Sequence, residues 1–227
     1  MDRDKLIRFG KKIMHQVGNM RDEEYRVTIP MFRECTRVLD AGCGNGTFLA
    51  LMGGRGEGID INPDNVSYCR NKGYVANIAS ILELPFESEA FDGVHCSHVM
   101  QVFSPCEAAR MIRELGRVLK PGGVMVISTL NWFQRFYRHP ENVRPYPPDV
   151  FWRYSGSRDG ASSPMFPNMP ALVQEDIWLR RPPFVEFESC THKNLHAILQ
   201  IINMLQYKLG ARKYWSFDSY IIKLRKL

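Results

Sequence analysis

The chain has 227 residues, of which 44% are hydrophobic and 24% are charged, and its formal net charge is +6. This length and composition suit one globular domain with a substantial core. The charged amino terminus and the lack of any apolar run near about 18 residues argue against a signal peptide and a membrane span. Six scattered cysteines suit reduced thiols. We therefore expect a single cytoplasmic domain over residues 1–227, and the mild positive charge identifies no partner.

The pattern of predicted elements changes after residue 35. Residues 4–35 predict one or two helices, and we expect residues 1–35 to form a helical cap on the domain. From residue 38 to residue 129, apolar strands alternate with amphipathic helices. This alternation is typical of a parallel sheet with helices on both faces, and the predicted fold class is α/β.

A strand, a glycine loop and a helix start follow one another over residues 38–48, which read VLDAGCGNGTF. Gly42 and Gly44 remove side chains from the loop, so we expect a ligand to meet bare backbone N–H groups there. Asp40 adds a carboxylate at the strand end. A dinucleotide-binding loop has the spacing Gly-x-Gly-x-x-Gly, but Thr47 occupies the position of the third glycine. The spacing therefore argues against a dinucleotide site.

Further landmarks follow the glycine loop in order. Asp60 ends a short apolar run, where an acid can accept two hydrogen bonds from a ribose diol. Asn62 and Pro63 then predict a capped helix start. The later landmarks are Leu-Pro-Phe at 84–86, an apolar strand at 91–99, and Leu-Lys-Pro-Gly-Gly at 119–123 before a strand at 124–128.

This succession over residues 36–130 resembles the class I S-adenosylmethionine (SAM)-dependent methyltransferases, especially methyltransferase type 11 and the ubiquinone-pathway enzymes. The resemblance implies SAM as cofactor and a Rossmann-like sheet of seven mostly parallel strands, with an antiparallel last strand and an inserted lid after the fifth. It implies that the glycine loop holds the methionine moiety, Asp60 the ribose, Ile61 the adenine ring and the Ser97 backbone the ammonium group. The cofactor-binding residues expected from it are Asp40, Gly42, Cys43, Gly44, Asp60, Ile61, Ser80, Ile81 and Ser97.

Two positions depart from the pattern of that family. Ser80 stands where many relatives have an aspartate that contacts the adenine amino group. Gln101-Val102 replaces a Glu-His pair that often follows the fourth strand in enzymes near the ubiquinone pathway. The role of that histidine therefore cannot be transferred to this chain.

His98 is the candidate catalytic base. It lies at the carboxyl end of the predicted fourth strand, where open α/β sheets bind their ligands. Alternation places Cys96 and His98 on one face of that strand and His95 and Ser97 on the other. The alternative is that His98 only lines the cofactor pocket.

Three other groups of reactive residues have structural explanations. Asp92 at a strand start is expected to be a structural cap. The segment Ser-Pro-Cys-Glu at 104–107 contains a Pro-Cys pair like that of cytosine-5 methyltransferases, but it also forms a helix capping box. Cys190, His192 and His196 lack a Cys-x-x-Cys partner pair, so we expect no metal site.

Residues 131–184 interrupt the alternating pattern and hold nine of the fourteen prolines together with many aromatic residues. Because disordered segments are poor in aromatics, we expect an ordered insertion. One interpretation is a substrate lid that binds a small acidic or aromatic acceptor. The other is that the aromatics only pack a satellite core. The candidate substrate-binding residues are Trp132, Arg135, Tyr137 and His139.

The carboxyl-terminal region predicts a helix over residues 195–205, which Gly210 ends, and a last strand at 219–224 beside the fifth. A sixth strand is expected near residues 212–215 or, alternatively, near residues 184–188.

The residues and the resemblance together predict a SAM-dependent methyltransferase that acts on a small-molecule acceptor. The chain has no Asp/Asn-Pro-Pro-Tyr/Phe motif after the fourth strand, so nucleic acid is not the expected partner. Two alternatives stay open: a non-catalytic binding protein of methyltransferase fold, and a nicotinamide-dependent oxidoreductase. The oligomeric state is not predicted.

Overall fold

The computed structural model describes residues 20–131, 136–151, 168–180 and 219–227. Within them, seven strands form one sheet in the order β3-β2-β1-β4-β5-β7-β6. Neighbouring strands pair in parallel except for β7, which is antiparallel to both β5 and β6. This confirms the predicted α/β sheet with an antiparallel last strand beside the fifth. The strands are β1 (Val38–Ala41), β2 (Gly56–Asp60), β3 (Val75–Ile78), β4 (Phe91–Ser97), β5 (Leu119–Leu130), β6 (Leu172–Arg180) and β7 (Ser219–Lys226).

Helix starts follow the predicted caps. The Asn62 side chain accepts a hydrogen bond of 2.9 Å from the Asp64 amide at the first turn of α3. Ser104 and Glu107 form a reciprocal capping box at the start of α4. This capping box explains the Ser-Pro-Cys-Glu segment as a helix start. Cys106 lies in the first turn of this helix and is exposed. The described α-helices are α1 (Met20–Met31), α2 (Thr47–Met52), α3 (Pro63–Asn71) and α4 (Pro105–Val118).

Helices cover both faces of the sheet. On one face α4 inserts Met111 and Leu115 into a large apolar cluster with β4, β5 and β7. On the other face, Phe32 after α1 and Phe48 in α2 pack against Val126 of β5. Burial on both faces explains why the central strands are nearly continuous apolar runs in the sequence.

The chain adds β2 and β3 on one side of β1, and then adds β4 and β5 on the other side. The order of the strands therefore reverses between β1 and β4. Ligands of open α/β sheets bind outside the carboxyl ends of the strands at such a switch point. Asp40 lies near the end of β1 and Ser97 ends β4. The fold therefore places these predicted site residues where a ligand is expected.

Among the described residues, the sixth strand of the sheet is β6 at Leu172–Arg180. The predicted positions of that strand, residues 212–215 and 184–188, lie outside the described residues. The predicted lid over residues 131–184 extends too far toward the carboxyl terminus, because Leu172–Arg180 is a strand of the sheet. The strand lacks a clean apolar alternation since Glu175 lies in its middle, where it pairs with Lys223 and Arg225 of β7. The hydrogen bond from Arg225 lowers the pKa of Glu175 to about 2. Cross-strand ion pairs thus replace apolar contacts on this face.

The described part of the predicted lid, residues 136–151, packs on the domain. Tyr146 is fully buried and its hydroxyl donates to the Phe103 carbonyl at 2.8 Å. The Tyr220 hydroxyl of β7 donates to the Tyr146 carbonyl at 2.6 Å. The contacts of Tyr146 are those that the packing interpretation expects. The remaining predictions on residues 1–19, the helix at 195–205, and Cys190, His192 and His196 lie outside the described residues.

Asp92 at the start of β4 has the structural role that its position predicts. Its carboxylate accepts hydrogen bonds from the amides of Thr36 at 2.9 Å and Arg37 at 2.8 Å, just before β1.

None of the described helices is long and apolar enough to cross a membrane. The same part of the chain contains no group of three or more His, Cys, Asp or Glu residues arranged to hold a metal ion.

Candidate functional site

The glycine loop between β1 and α2 adopts a backbone that only glycine accommodates easily. Gly42 has φ +88° and Gly44 has φ +51°. A Cβ on Gly42 would lie 2.5 Å from Cγ2 of Val99, so the loop after β4 rests directly on this residue. A Cβ on Gly44 would meet no atom within 4 Å. The loop is therefore packed at Gly42 and open at Gly44.

The N–H groups of this loop are already used within the protein. The amides of Gly42 and Cys43 both donate to the Ile59 carbonyl at 2.8 Å. The Gly44 amide donates to Oδ2 of Asp60 at 2.8 Å. The expectation that a ligand would meet bare N–H groups is therefore wrong for these three residues. A pyrophosphate needs such donors, and the Asp60 carboxylate would repel it, so the loop does not suit a dinucleotide.

Asp60 connects the glycine loop to the start of α3. Its Oδ1 accepts a hydrogen bond of 2.9 Å from the Asn62 amide, while Oδ2 holds Gly44. Each carboxylate oxygen has a second lone pair, and Asp60 is only partly buried. The side chain can therefore accept two hydroxyls while it holds the loop in place.

The predicted adenine side has one exposed apolar side chain and one hydrogen-bonded turn. Ile61 is 76% exposed, directly after Asp60. Ser80 accepts a hydrogen bond of 3.2 Å from the Leu82 amide through its hydroxyl. The Ile81 side chain is buried in the core, so only its backbone can face a ligand. An exposed isoleucine beside the partly buried carboxylate of Asp60 suits the flat face of a purine.

Cys43 and Asp40 turn their side chains into the protein. The Cys43 side chain is buried, and this burial raises the pKa of its thiol, with the Asp40 carboxylate adding to the effect. Asp40 is 2% exposed, and its Oδ1 lies 2.7 Å from Nδ1 of His95. The His95 ring stacks on Phe48 at 3.8 Å. Direct contact between Asp40 and a cofactor stays a prediction, since the carboxylate is held beneath α2.

His98 lies one residue beyond β4, in the left-handed region with φ +56°. Its Nε2 lies 2.9 Å and 3.2 Å from the two carboxylate oxygens of Glu24 in α1. Ser97 before it is partly exposed. The structure thus brings His98 and Ser97 to the edge of the sheet, beside Val99 and the glycine loop.

Acidification is expected to remove the stabilisation that Glu24 gives the folded protein. Burial raises the pKa of Glu24, but the hydrogen bond and charge of His98, together with Arg180, outweigh it and hold the pKa below its ordinary value of 4.5. Because the folded pKa is below the unfolded one, this stabilisation is complete above pH 4.5 and is lost as the pH falls through the folded pKa. Urea denaturation should show that Glu24→Gln costs most above about pH 5 and progressively less toward about pH 3. A cost that is constant over this range would contradict the lowered pKa.

The candidate substrate residues are only partly described. Tyr137 is 64% exposed and its ring packs edge-on against Phe136. His139 is exposed and its Nδ1 lies 3.6 Å from the Glu141 carboxylate. Trp132 and Arg135 lie outside the described residues. Of the two described residues, Tyr137 has an open aromatic surface that an acceptor could contact, and the substrate roles of all four stay predictions.

Two residues of the site were missed by the sequence analysis. Glu24 is one of several acids in α1, and nothing in the local pattern distinguishes it. Arg180 ends a strand that was not predicted. Strand alternation predicted that His95 and His98 lie on opposite faces, but His98 lies beyond the end of β4, so alternation does not describe its direction. The partner of His95, Asp40, comes from a neighbouring strand. These pairs become visible only when the strand order is known.

The residues present fit SAM. The loop is open at Gly44, Asp60 can accept the ribose hydroxyls, and Ile61 offers an apolar surface for the base. The buried acid Asp40 and the absence of available N–H groups at residues 42–44 suit a ligand end that carries a positive charge.

Comparisons with known proteins agree with this site. Residues 39–127 match the family model described as "Methyltransferase domain". The chain is 33% identical over 105 residues to the ubiquinone biosynthesis O-methyltransferase of Xanthomonas oryzae, covering 42% of this chain and 43% of that protein. It is 36% identical over 93 residues to the tRNA (carboxymethyluridine(34)-5-O)-methyltransferase of Arabidopsis thaliana, covering 40% of this chain and 23% of that protein. The chain thus spans less than half the length of these curated relatives.

A solved structure extends the likeness to most of the chain. The SAM-dependent methyltransferase of Archaeoglobus fulgidus aligns with a TM-score of 0.61 and 25% identity, covering 90% of this chain and 92% of that one. The family model, the relatives and this fold point to the same cofactor, SAM. Residues 39–127 are therefore a methyltransferase domain, and the chain has the fold of a SAM-dependent methyltransferase.

Proposed function

We propose that this protein transfers the methyl group of SAM to a small-molecule acceptor. The observation that carries the proposal is the hydrogen bond from Gly44 to Asp60, which holds a carboxylate at the open part of the glycine loop, where ribose hydroxyls could donate to it. The same bond uses the amide that a pyrophosphate would need. This supports a sulfonium nucleoside over a nicotinamide dinucleotide as the ligand.

The proposed roles of the binding residues follow from their surroundings. Asp60 holds the ribose, Ile61 packs on the adenine, and the backbone of Ser97 meets the ammonium group. Asp40 acts from beneath the loop through its negative charge. When bound, SAM supplies a methyl group that its sulfonium already activates, so the protein has mainly to position the acceptor.

A small acceptor is supported by the name of the Xanthomonas relative, an enzyme of ubiquinone biosynthesis. Tyr137 offers an exposed aromatic ring beyond β5 for such a compound. RNA is the second candidate acceptor, since the Arabidopsis relative is named as a tRNA methyltransferase and the chain has a net charge of +6.

Isothermal titration with S-adenosylhomocysteine (SAH), the product form of the cofactor, tests the proposal. We expect binding near one to one, and no heat of binding with NAD⁺ or NADP⁺. Binding of NAD⁺ would support the oxidoreductase alternative. An absence of SAH binding at high micromolar concentration would support a non-catalytic protein of methyltransferase fold. With binding established, transfer of tritiated methyl groups to small-molecule extract or to tRNA separates the two acceptor classes.

A matched pair of glycine variants tests whether the open side of the loop holds the cofactor. Gly44 and Gly53 have similar φ values, +51° and +59°, and an added Cβ would meet no atom within 4 Å at either position. We expect Gly44→Ala and Gly53→Ala to lose similar stability, roughly 1–2 kcal/mol. Only Gly44→Ala should weaken SAH binding, by about tenfold or more, because the alanine side chain would occupy the space beside the loop where we expect the cofactor. Equal SAH affinities in the two variants would place the cofactor elsewhere.

A further inference from the structure

Three charged side chains from distant parts of the chain meet at the carboxyl edge of the sheet. Glu24 comes from α1, His98 follows β4, and Arg180 ends β6. The carboxylate of Glu24 lies 2.9 Å from Nε2 of His98 and 3.4 Å from Nη1 of Arg180. Glu24 and Arg180 are buried, whereas the His98 side chain is 32% exposed. The cluster therefore presents the imidazole of His98 as its accessible group.

We propose that His98 accepts the proton of a phenolic hydroxyl during methyl transfer, and that Glu24 is the positioning residue that orients the imidazole. The inference rests on the proposed function and narrows it, because it names the acceptor as a small aromatic compound with a hydroxyl group. It also makes α1 part of the catalytic arrangement.

The hydrogen bond to Glu24 decides which nitrogen of His98 can act as a base. Nε2 faces both carboxylate oxygens, so it carries the hydrogen and donates it to Glu24. The lone pair is then on Nδ1, which has no hydrogen-bond partner among the described residues. A buried carboxylate that fixes the tautomer of a histidine is the orienting part of known catalytic triads. Arg180 holds Glu24 in its anionic form.

The backbone of His98 is held from both sides. Its amide donates to the Ser128 carbonyl at 2.8 Å, and its carbonyl accepts from Nε2 of Gln101 at 2.7 Å. Gln101 in turn accepts a hydrogen bond of 3.1 Å from the Thr129 hydroxyl. These bonds maintain a left-handed backbone that is strained for a histidine, and such strain is concentrated at functional sites.

His98 is also close to where the methyl group is presented. It lies between Ser97, the predicted contact of the cofactor ammonium group, and Val99, whose side chain rests on Gly42. The loop that carries His98 is therefore packed on the glycine loop. Proximity of a fixed base to the cofactor cradle is the geometry that general base catalysis requires.

The chemistry of the acceptor atom favours oxygen. A neutral amine attacks through its lone pair and can lose its proton to water afterwards, whereas a hydroxyl needs a base as the bond forms. In the proposed step the hydroxyl oxygen bonds to the methyl carbon and the electron pair of the broken C–S bond stays on sulfur. The hydroxyl proton passes to Nδ1 of His98, and Glu24 stabilises the resulting imidazolium. A phenol, with a pKa near that of tyrosine at about 10, gives up this proton far more readily than an aliphatic alcohol.

The first test measures the imidazole of His98 directly, in the SAH complex and without any acceptor. Nitrogen-15 NMR of the histidine ring should show hydrogen on Nε2 in the parent protein. We expect Glu24→Leu to lose this preference and Glu24→Gln, which keeps an acceptor oxygen, to retain most of it. Asp22→Asn, an exposed change in the same helix, should leave the signal unchanged. A parent protein with hydrogen mainly on Nδ1 would overturn the proposal.

The second test uses methyl transfer from SAM to catechol, aniline and indole, which offer oxygen, nitrogen and carbon acceptors of similar shape. We expect transfer to catechol, with kcat lowered about 100-fold in His98→Gln and in Glu24→Leu. The double variant should be no slower than His98→Gln, because Glu24 acts through His98. Glu24→Gln should lose about tenfold or less in kcat with little change in KM.

The outcomes separate this inference from the proposed function. Preferred transfer to aniline or indole, additive losses in the double variant, or full activity of His98→Gln would overturn the inference. Transfer to none of the three by a protein that binds SAH would overturn the phenolic acceptor but not SAM binding. Failure to bind SAH would instead count against the proposed function itself.

Discussion

Replacing Asp60 with alanine is expected to weaken SAH binding by about 100-fold. The carboxylate has a free lone pair on each oxygen for the two ribose hydroxyls, and a hydrogen bond to a charged group contributes about 1.5–3 kcal/mol. Loss of both bonds should therefore cost about 3 kcal/mol, which is about two orders of magnitude in affinity. The variant also frees the Gly44 amide, which Asp60 holds at 2.8 Å, so the loop loses its support at the same time.

Two variants separate these contributions in a titration with SAH. Asp64→Ala removes an equal charge from an exposed position in the first turn of α3 and should leave the affinity unchanged. Asp60→Asn keeps an acceptor oxygen but loses the charge, so we expect an intermediate loss of affinity. If Asp60→Ala binds SAH as well as the parent protein, the ribose assignment is wrong.

The conformation of the glycine loop was predictable because its residues are local in sequence. The strand, glycine loop and helix start at residues 38–48 form one continuous segment, and Asp60 ends the next strand of the same sheet. Capping is equally local, so Asn62 and Ser104 indicated their helix starts correctly. Each of these predictions depends on contacts that span a few residues or on adjacent strands.

The parts that were not predicted depend on contacts between distant segments. β6 became recognisable only beside β7, whose Lys223 and Arg225 pair with the acid in its middle. Likewise, the amides of Gly42 and Cys43 are occupied because they donate to the Ile59 carbonyl of the neighbouring strand. Strand order and register, which a single sequence does not specify, decide these contacts.

The pair formed by Asp40 and His95 is the clearest example of such a contact, and it gives the second large prediction. The two residues are direct neighbours in the register of β1 and β4. Both side chains are 3% exposed, with Nδ1 of His95 2.7 Å from Oδ1 of Asp40. We expect His95→Leu to lower the free energy of unfolding by about 3–5 kcal/mol, because it leaves the Asp40 carboxylate buried without its partner.

Chemical denaturation of a small set of variants tests this explanation. Asp40→Asn keeps an oxygen for the hydrogen bond from His95 and should lose less than about 1.5 kcal/mol. The double variant Asp40→Leu/His95→Leu should recover most of the stability lost in His95→Leu, because an apolar pair of similar size removes the buried charge. Phe32 and Phe48 already form an apolar wall around His95, at ring distances of 6.2 Å and 3.8 Å, so the leucines have partners to pack against.

The double variant also shows what the pair does for the site. If the double variant is as unstable as His95→Leu, the stability lost in His95→Leu comes mainly from the packing of the imidazole on Phe48 and not from the unpaired charge of Asp40. If it is stable but binds SAH weakly, the pair is retained for binding at a cost in stability. We expect the second result, because Asp40 lies two residues before Gly42 in the chain and its negative charge favours the ammonium end of the cofactor.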